Sequence, residues 1–388
     1  MATRKQDVMR LTQRAVIFAV ATLAPLACVV ATAVAAPTAL ARATVPALTA
    51  GIKVTATIPV GQHPVAVAVD PLTRTSYVVN ELSDSVSVIN ERTNTVVATV
   101  GVGHTPSSIA VDLLTDTIYV PGGNGEDHEN TVSVINGRTN TVVATVTVGD
   151  EPVAIALDPA TNTIYTANAS GNTVSAISGR TNKVIATTRV GRAPQSIAAS
   201  PRTNAIYVPN AGSNTVSVIS ARTNRVVATI RAGKGPAAVA INGQTNTIYV
   251  ANDGGNTVSV ISGRTNTVIS KVRVGNESTA IAVSPGTGTS YVGSALSHTV
   301  SVIGRTNKLA ARIRVGSEPD GFAVNRRART IYVANIGGNS VSVINARTNR
   351  VIATVRVGQA PFAIAVNSRT GTAYVTNVND NTVSVLTS

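Results

Sequence analysis

All eight tyrosines of this 388-residue chain fall at one position of a repeat: Tyr77, Tyr119, Tyr165, Tyr207, Tyr249, Tyr291, Tyr332 and Tyr374. The intervals between them are 42, 46, 42, 42, 42, 41 and 42 residues. A fixed period of this length marks propellers and solenoids, whose units bury their apolar faces against one another. The unit that opens at Pro194 predicts four short strands: A over 195–200, B over 205–209, C over 215–220 and D over 225–231. Turn residues separate them, Pro-Arg-Thr-Asn after A, Asn-Ala-Gly-Ser-Asn after B and Ala-Arg-Thr-Asn after C, as antiparallel hairpins require. Strand B reads Ile-Tyr-Val and strand C reads Val-Ser-Val-Ile. A one-sided sheet would alternate apolar with polar residues, whereas blades stacked face to face bury both sides.

Counting the strands closes the ring. There are eight A–B–C sets but only seven Arg-Thr-Asn turns into strand D, at Arg92, Arg138, Arg180, Arg222, Arg264, Arg305 and Arg347. The last unit stops after strand C. Residues 54–61, Val-Thr-Ala-Thr-Ile-Pro-Val-Gly, match Val351–Gly358 and supply the missing strand from the other end of the chain. The expected fold is therefore all-β, a single β-propeller of eight four-stranded blades over 52–388, closed by the N-terminal strand. Residues 1–43 read as a signal peptide: Arg4, Lys5, Arg10 and Arg14 precede an uncharged apolar run from Ala15 to Ala36, with small-residue cleavage sites at 39–41 or 41–43. An uncleaved anchor is the alternative, since that run could span a bilayer; Pro25 and the many alanines weigh against it. Residues 44–51 are a short linker. The single cysteine, Cys28, lies in the apolar run, so the mature chain forms no disulfide and rests on packing and backbone pairing.

The strand B motif resembles the bacterial and archaeal YVTN-type β-propeller repeat family. Tyr374-Val375-Thr376-Asn377 spells its motif, and Tyr77-Val78-Val79-Asn80, Tyr249-Val250-Ala251-Asn252 and Tyr332-Val333-Ala334-Asn335 are close variants. The resemblance implies surface-layer-like or other extracytoplasmic proteins, usually with seven blades; eight units here depart from that, so the family's central channel does not carry over. Its motif residues are structural, and no catalytic set transfers.

Function must then be sought where units differ. Asn80, Asn168, Asn210, Asn252, Asn335 and Asn377 end strand B, where asparagine suits left-handed turn geometry. Asp70, Asp112 and Asp158 end strand A and satisfy turn backbone. The Arg-Thr-Asn turns are read as blade-to-blade structure. The four histidines all fall in loops on one face, formed by D–A and B–C connections: His63 and His104 in the former, His128 and His298 in the latter. The second unit carries the longest B–C loop, with Glu126, Asp127, His128 and Glu129, and Asp150 and Glu151 follow in the next D–A loop. These residues are candidates for a ligand or divalent cation, since carboxylates and imidazoles suit Ca²⁺ or a transition metal. A solvated acidic loop is the simpler reading, because no paired-His ligand spacing is present.

Charge is uneven. Residues 51–158 carry twelve acids against four bases, net −8, while residues 159–388 carry five acids against 23 bases, net +18. Arg202, Arg326, Arg327, Arg329 and Arg369 sit in A–B turns on the opposite face and are candidates for an anionic partner. Arg189, Arg231, Arg273, Arg314 and Arg356 lie on rim strands, where charge also blunts exposed edges. Nucleic acid is not expected: the chain is read as exported, and three phenylalanines offer little base stacking. Gly-x-Ser-x-Gly, His-Glu-x-x-His and phosphate-loop motifs are missing from the sequence. The expectation is a secreted or envelope-associated monomer that binds anionic wall polymer or protein, without cofactor and without a membrane span after signal cleavage. The rival is a metal-assisted lactonase-like hydrolase or a lyase, which would need His63, His104 and Asp150 or Glu151 to converge.

Overall fold

Each described hairpin of the repeat turns at a residue in left-handed backbone, most often asparagine. In the computed structural model, which describes residues 51–123, 130–284 and 286–388, Asn94, Asn140, Asn182, Asn224, Asn266, Asn307 and Asn349 of the Arg-Thr-Asn turns have φ of 52–59°. Asparagine takes this region at least cost after glycine, so the motif fixes a tight C–D turn in each of the first seven blades. The turns fold the described chain into eight four-stranded antiparallel sheets. Blade 4 shows the plan, with strand A at Ala198–Ser200, B at Ala205–Asn210, C at Thr215–Ser220 and D at Arg225–Arg231. Its strand A starts later than the sequence suggests, because the chain touches strand B only through an isolated Pro194–Asn210 bridge before pairing at Ala198. The segments expected to be a signal peptide, 1–43, and a linker, 44–51, lie outside the described residues except for Gly51.

Strands B and C are buried on both faces; in blade 4, Ile206, Tyr207, Val208, Val216 and Val218 are 0% exposed. All eight tyrosines of the repeat are buried, and each core cluster draws side chains from two adjacent blades, so the core is a chain of interfaces around the ring. Strand D is different: its residues alternate between exposed and half-buried, which makes it the rim. Closure follows the expected pairing. Lys53–Pro59 lies antiparallel to Thr382–Thr387, with Ile58 opposite Val383 and Val54 opposite Leu386, and completes blade 8.

Two motif residues have structural roles that explain their recurrence. Between blades 3 and 7 the tyrosine hydroxyl donates to the Arg-Thr-Asn asparagine of the next blade: Tyr165 to Asn224 at 3.0 Å, Tyr207 to Asn266 at 3.1 Å, Tyr249 to Asn307 at 3.3 Å and Tyr291 to Asn349 at 3.2 Å. The C–D turn is thus a blade-to-blade tie. The strand B asparagine differs from its expected role. Asn80 and Asn252 are extended, with φ of −108° and −107°, and wholly buried. Their side-chain amides donate across to strand C, Asn80 to Ser85 Oγ and Ser87 Oγ, Asn252 to Thr257 and Ser259 Oγ. Asn252 also accepts from the Gly233 amide at 3.0 Å. A Cβ on Gly233 would come within 2.6 Å of that side chain, so the glycine before each D–A loop is required by close approach. The left-handed positions lie instead inside the following loops, at Asn172, Asn214 and Asn256.

Candidate functional site

The D–A and B–C loops share one face, here the top. The Glu81 amide donates to the His63 carbonyl there, and the Ala193 amide donates to Asn172 Oδ1 of the previous blade. On this face the acidic groups of blades 1–3 are engaged close to home. His63 Nδ1 lies 2.6 Å from Glu81 Oε2, and His104 Nδ1 lies 2.8 Å from Asp84 Oδ2. Asp84 also accepts from the Thr105 amide at 2.8 Å. Asp150 accepts from Asn130 at 3.2 Å, and Glu151 accepts from Ser170. His63 and His104 therefore each face one carboxylate in the neighbouring B–C loop. Among the described residues no three His, Cys, Asp or Glu side chains gather as a metal site. Glu126, Asp127, His128 and Glu129 lie outside the described residues.

The A–B and C–D turns form the bottom face. Asp70, Asp112 and Asp158 are buried and accept from the amides of Leu72, Leu114 and Ala160, two residues on. They shape the A–B turns, as expected from their position. The third residue of each A–B turn varies: Leu72, Leu114, Ala160, Arg202, Gln244, Gly286, Arg327 and Arg369. Two of the three arginines at this position reach the next blade. Arg202 donates to the carbonyls of Gly243 and Gln244, and Arg327 to that of Arg369 at 3.0 Å. Arg202 and Arg327 are therefore bridges between turns as well as surface charges.

Blade 6 breaks this pattern. Gly286 has no side chain to reach blade 7, and a Cβ there would meet open space. A pocket of about 400 Å³ opens beside it, bounded by Gln244 of blade 5, Ser284 and Thr287 of blade 6, and Arg326, Arg329 and Arg347 of blade 7. Arg326 and Arg329 were expected on this face. Arg347 was missed, because it belongs to the repeated C–D turn and carries no local signal of difference. Arg329 stands at a left-handed position, φ 54°, which blades 3–5 give to asparagine and blades 6 and 8 to glycine. The ion pairs found among the described residues are both histidine–carboxylate contacts, and no arginine or lysine joins one.

Burial moves a few acids. The Glu91 carboxyl, half-buried at the junction of blades 8 and 1, is pushed up chiefly by desolvation, against hydrogen bonds from Ser76 and Asn367 that lower it. Desolvation, reinforced by the nearby Glu277 and Asp320 charges, raises Asp253 on the top face. The tyrosine hydroxyls rise for the same first reason, Tyr119 and Tyr165 to about 12.

A closed ring of eight such blades, with shared turns and divergent loop tips, defines a β-propeller of the repeat-built kind. The model of the YNCE-like β-propeller family matches residues 117–386, more than half of the chain, and the chain belongs to that family. Among solved structures, a chain of Kuenenia stuttgartiensis hydrazine synthase is similar with a TM-score of 0.58 and 18% sequence identity, over 84% of this chain and 96% of that one. At that identity the likeness is one of fold. No curated protein matches the chain. No helix among the described residues is long and apolar enough to cross a membrane.

Proposed function

We propose that this protein is a secreted or cell-surface propeller that acts as a non-catalytic binding scaffold, its basic arc holding an anionic polymer of the cell envelope or an acidic protein partner. The observation that carries the reading is the asymmetry of charge compensation. The described acids in the top loops of blades 1–3 are met by histidine, amide or hydroxyl partners from neighbouring loops, whereas the arginines of blades 4–8 have no carboxylate partner among the described residues. Uncompensated like charge on a rigid surface costs self-repulsion and produces an outward field that draws polyanions. The N-terminal basic and apolar sequence supports export to a compartment where such polymers are displayed. The repeated frame supplies rigidity, and the turns vary without disturbing it.

The reading is tested by retention of the purified ring on cell-wall fractions. Replacing Arg326, Arg327 and Arg329 together with alanine should weaken retention while the melting temperature stays nearly the same. Unchanged retention would place the contact elsewhere.

A further inference from the structure

We infer that the bottom pocket between blades 5, 6 and 7 is a discrete site for a phosphate ester group, with Arg326, Arg329 and Arg347 as its ligands. The inference rests on the anionic-partner reading and narrows it to one pocket and one chemistry. Three independent features lead to it.

The first is how the pocket arises. In blades 4 and 7 the third turn residue is an arginine that crosses to the next blade and covers its A–B turn. Gly286 of blade 6 makes no such crossing, and the space it leaves is open. The turn of blade 7 is thereby uncovered, and two of its three arginines, Arg326 and Arg329, border a concavity. Blade 6 also holds Gly288 at the left-handed turn position, φ 66°, and Arg305 folds back to donate to the Thr287 carbonyl at 2.9 Å. That bond keeps Arg305 on its own blade and away from the pocket wall.

The second feature is charge. Arg326, Arg329 and Arg347 are exposed, and no hydrogen bond or ion pair joins their guanidinium groups to a described residue. Three cations bordering one concavity repel one another, and an anion between them removes that repulsion. A guanidinium presents parallel N–H donors that match the oxygens of a phosphate. Three positive charges suit a phosphomonoester dianion better than a single carboxylate, because Coulomb attraction scales with the charge of the ligand.

The third feature is size. About 400 Å³ is far more than a phosphate group fills, so a ring attached to the phosphate has room beside Gln244, Ser284 and Thr287, which offer polar groups to its hydroxyls. A phosphorylated sugar, free or as a unit of a phosphate-linked polymer, fits this combination.

The test uses the full mature ring, with glucose 6-phosphate and poly(glycerol phosphate) as probes in calorimetry and column retention. Two variants target the site by different routes: R326A/R329A/R347A removes the cations, and G286E places an internal carboxylate among them at a position with room for it. Both should lower glucose 6-phosphate affinity about tenfold or more, the worth of one charge-assisted hydrogen bond, with unchanged melting. A rim variant carrying Arg189, Arg231, Arg273, Arg314 and Arg356 as glutamine should keep glucose 6-phosphate binding. If G286E and the triple variant bind glucose 6-phosphate like the parent, or the parent does not bind it, the pocket assignment falls. Glucose 6-phosphate binding and polymer retention that both survive in G286E, with retention lost in the rim variant, would overturn the pocket while leaving the anionic-partner reading intact. Glucose 6-phosphate binding and polymer retention both unaffected by all three variants would overturn both. Loss of free-sugar binding with polymer retention kept would support the pocket and identify the small phosphate as its ligand.

Discussion

Blades 1–3 and blades 4–8 share one frame and carry opposite charge. In the first arc the described acids of the top loops are held by local partners, as in His63 with Glu81 and His104 with Asp84. In the second, arginines stand on turns and rim strands without acidic partners among the described residues, and one turn has lost the side chain that would cover its neighbour. The frame is therefore separable from the charge. Packing, the strand B asparagine and ring closure hold both arcs alike, while surface residues that the frame does not need set what each arc can bind. One tie varies from blade to blade within the frame: Tyr165 and Tyr207 reach Asn224 and Asn266 of the next blade, whereas the buried Tyr77 hydroxyl has no partner found among the described residues.

The largest effect should come from the frame. Removing residues 51–60 strips Ile58 and the rim strand from blade 8 and leaves Thr382–Thr387 with an unpaired edge. The loss should be at least about 3 kcal/mol, seen as a strong fall in melting temperature or as aggregation. Equal melting would break the claim that closure holds the ring. Next, Asn80→Ala and Asn252→Ala should each cost about 2 kcal/mol, because each leaves buried groups of strand C without their donor. Denaturant midpoints would measure this. If one arc tolerated the change and the other did not, the frame would not be common to both.

The tyrosine ties give a smaller and opposite-handed contrast. Tyr207→Phe should cost about 1 kcal/mol, while Tyr77→Phe should be neutral or slightly stabilising, since it deletes a buried hydroxyl without a partner. Equal costs would show that Tyr77 makes a bond of the same kind. Glu91 offers the subtlest test. Its folded-state pKa is raised by burial, so the folded ring favours the protonated carboxyl. That contribution is fully present below the unfolded carboxylate value and is lost as pH rises through the folded one. Glu91→Gln cannot titrate, so its stability relative to the parent should grow from about pH 4 to pH 7. A difference that stays flat with pH would mean the carboxyl is not the group in play.

The propeller was legible because its signals are additive: one tyrosine per unit, one asparagine turn per unit, and a spare strand at the start that matches the gap at the end. Asp70, Asp112 and Asp158 were legible too, since an aspartate at a strand end has a known local use. The strand B asparagine was misread because the same residue type serves turns and buried amide networks, and only burial separates the two. The pocket was half legible. Arg326 and Arg329 stand out as charge, but the pocket is opened by what Gly286 lacks, and a missing side chain is visible only against the crossings made by Arg202 and Arg327. Arg347 was hidden by its membership in a repeated motif.

The central claim is that the basic arc binds by charge, and salt tests it most directly. Affinity of the intact ring for poly(glycerol phosphate) should be measured from low ionic strength up to about 0.5 M NaCl, across which the screening length falls from tens of ångströms to a few. The account predicts a steep, continuous loss of affinity with rising salt, and no comparable loss when acidic side chains of blades 1–3 are neutralised. Binding that holds constant across that range would contradict it.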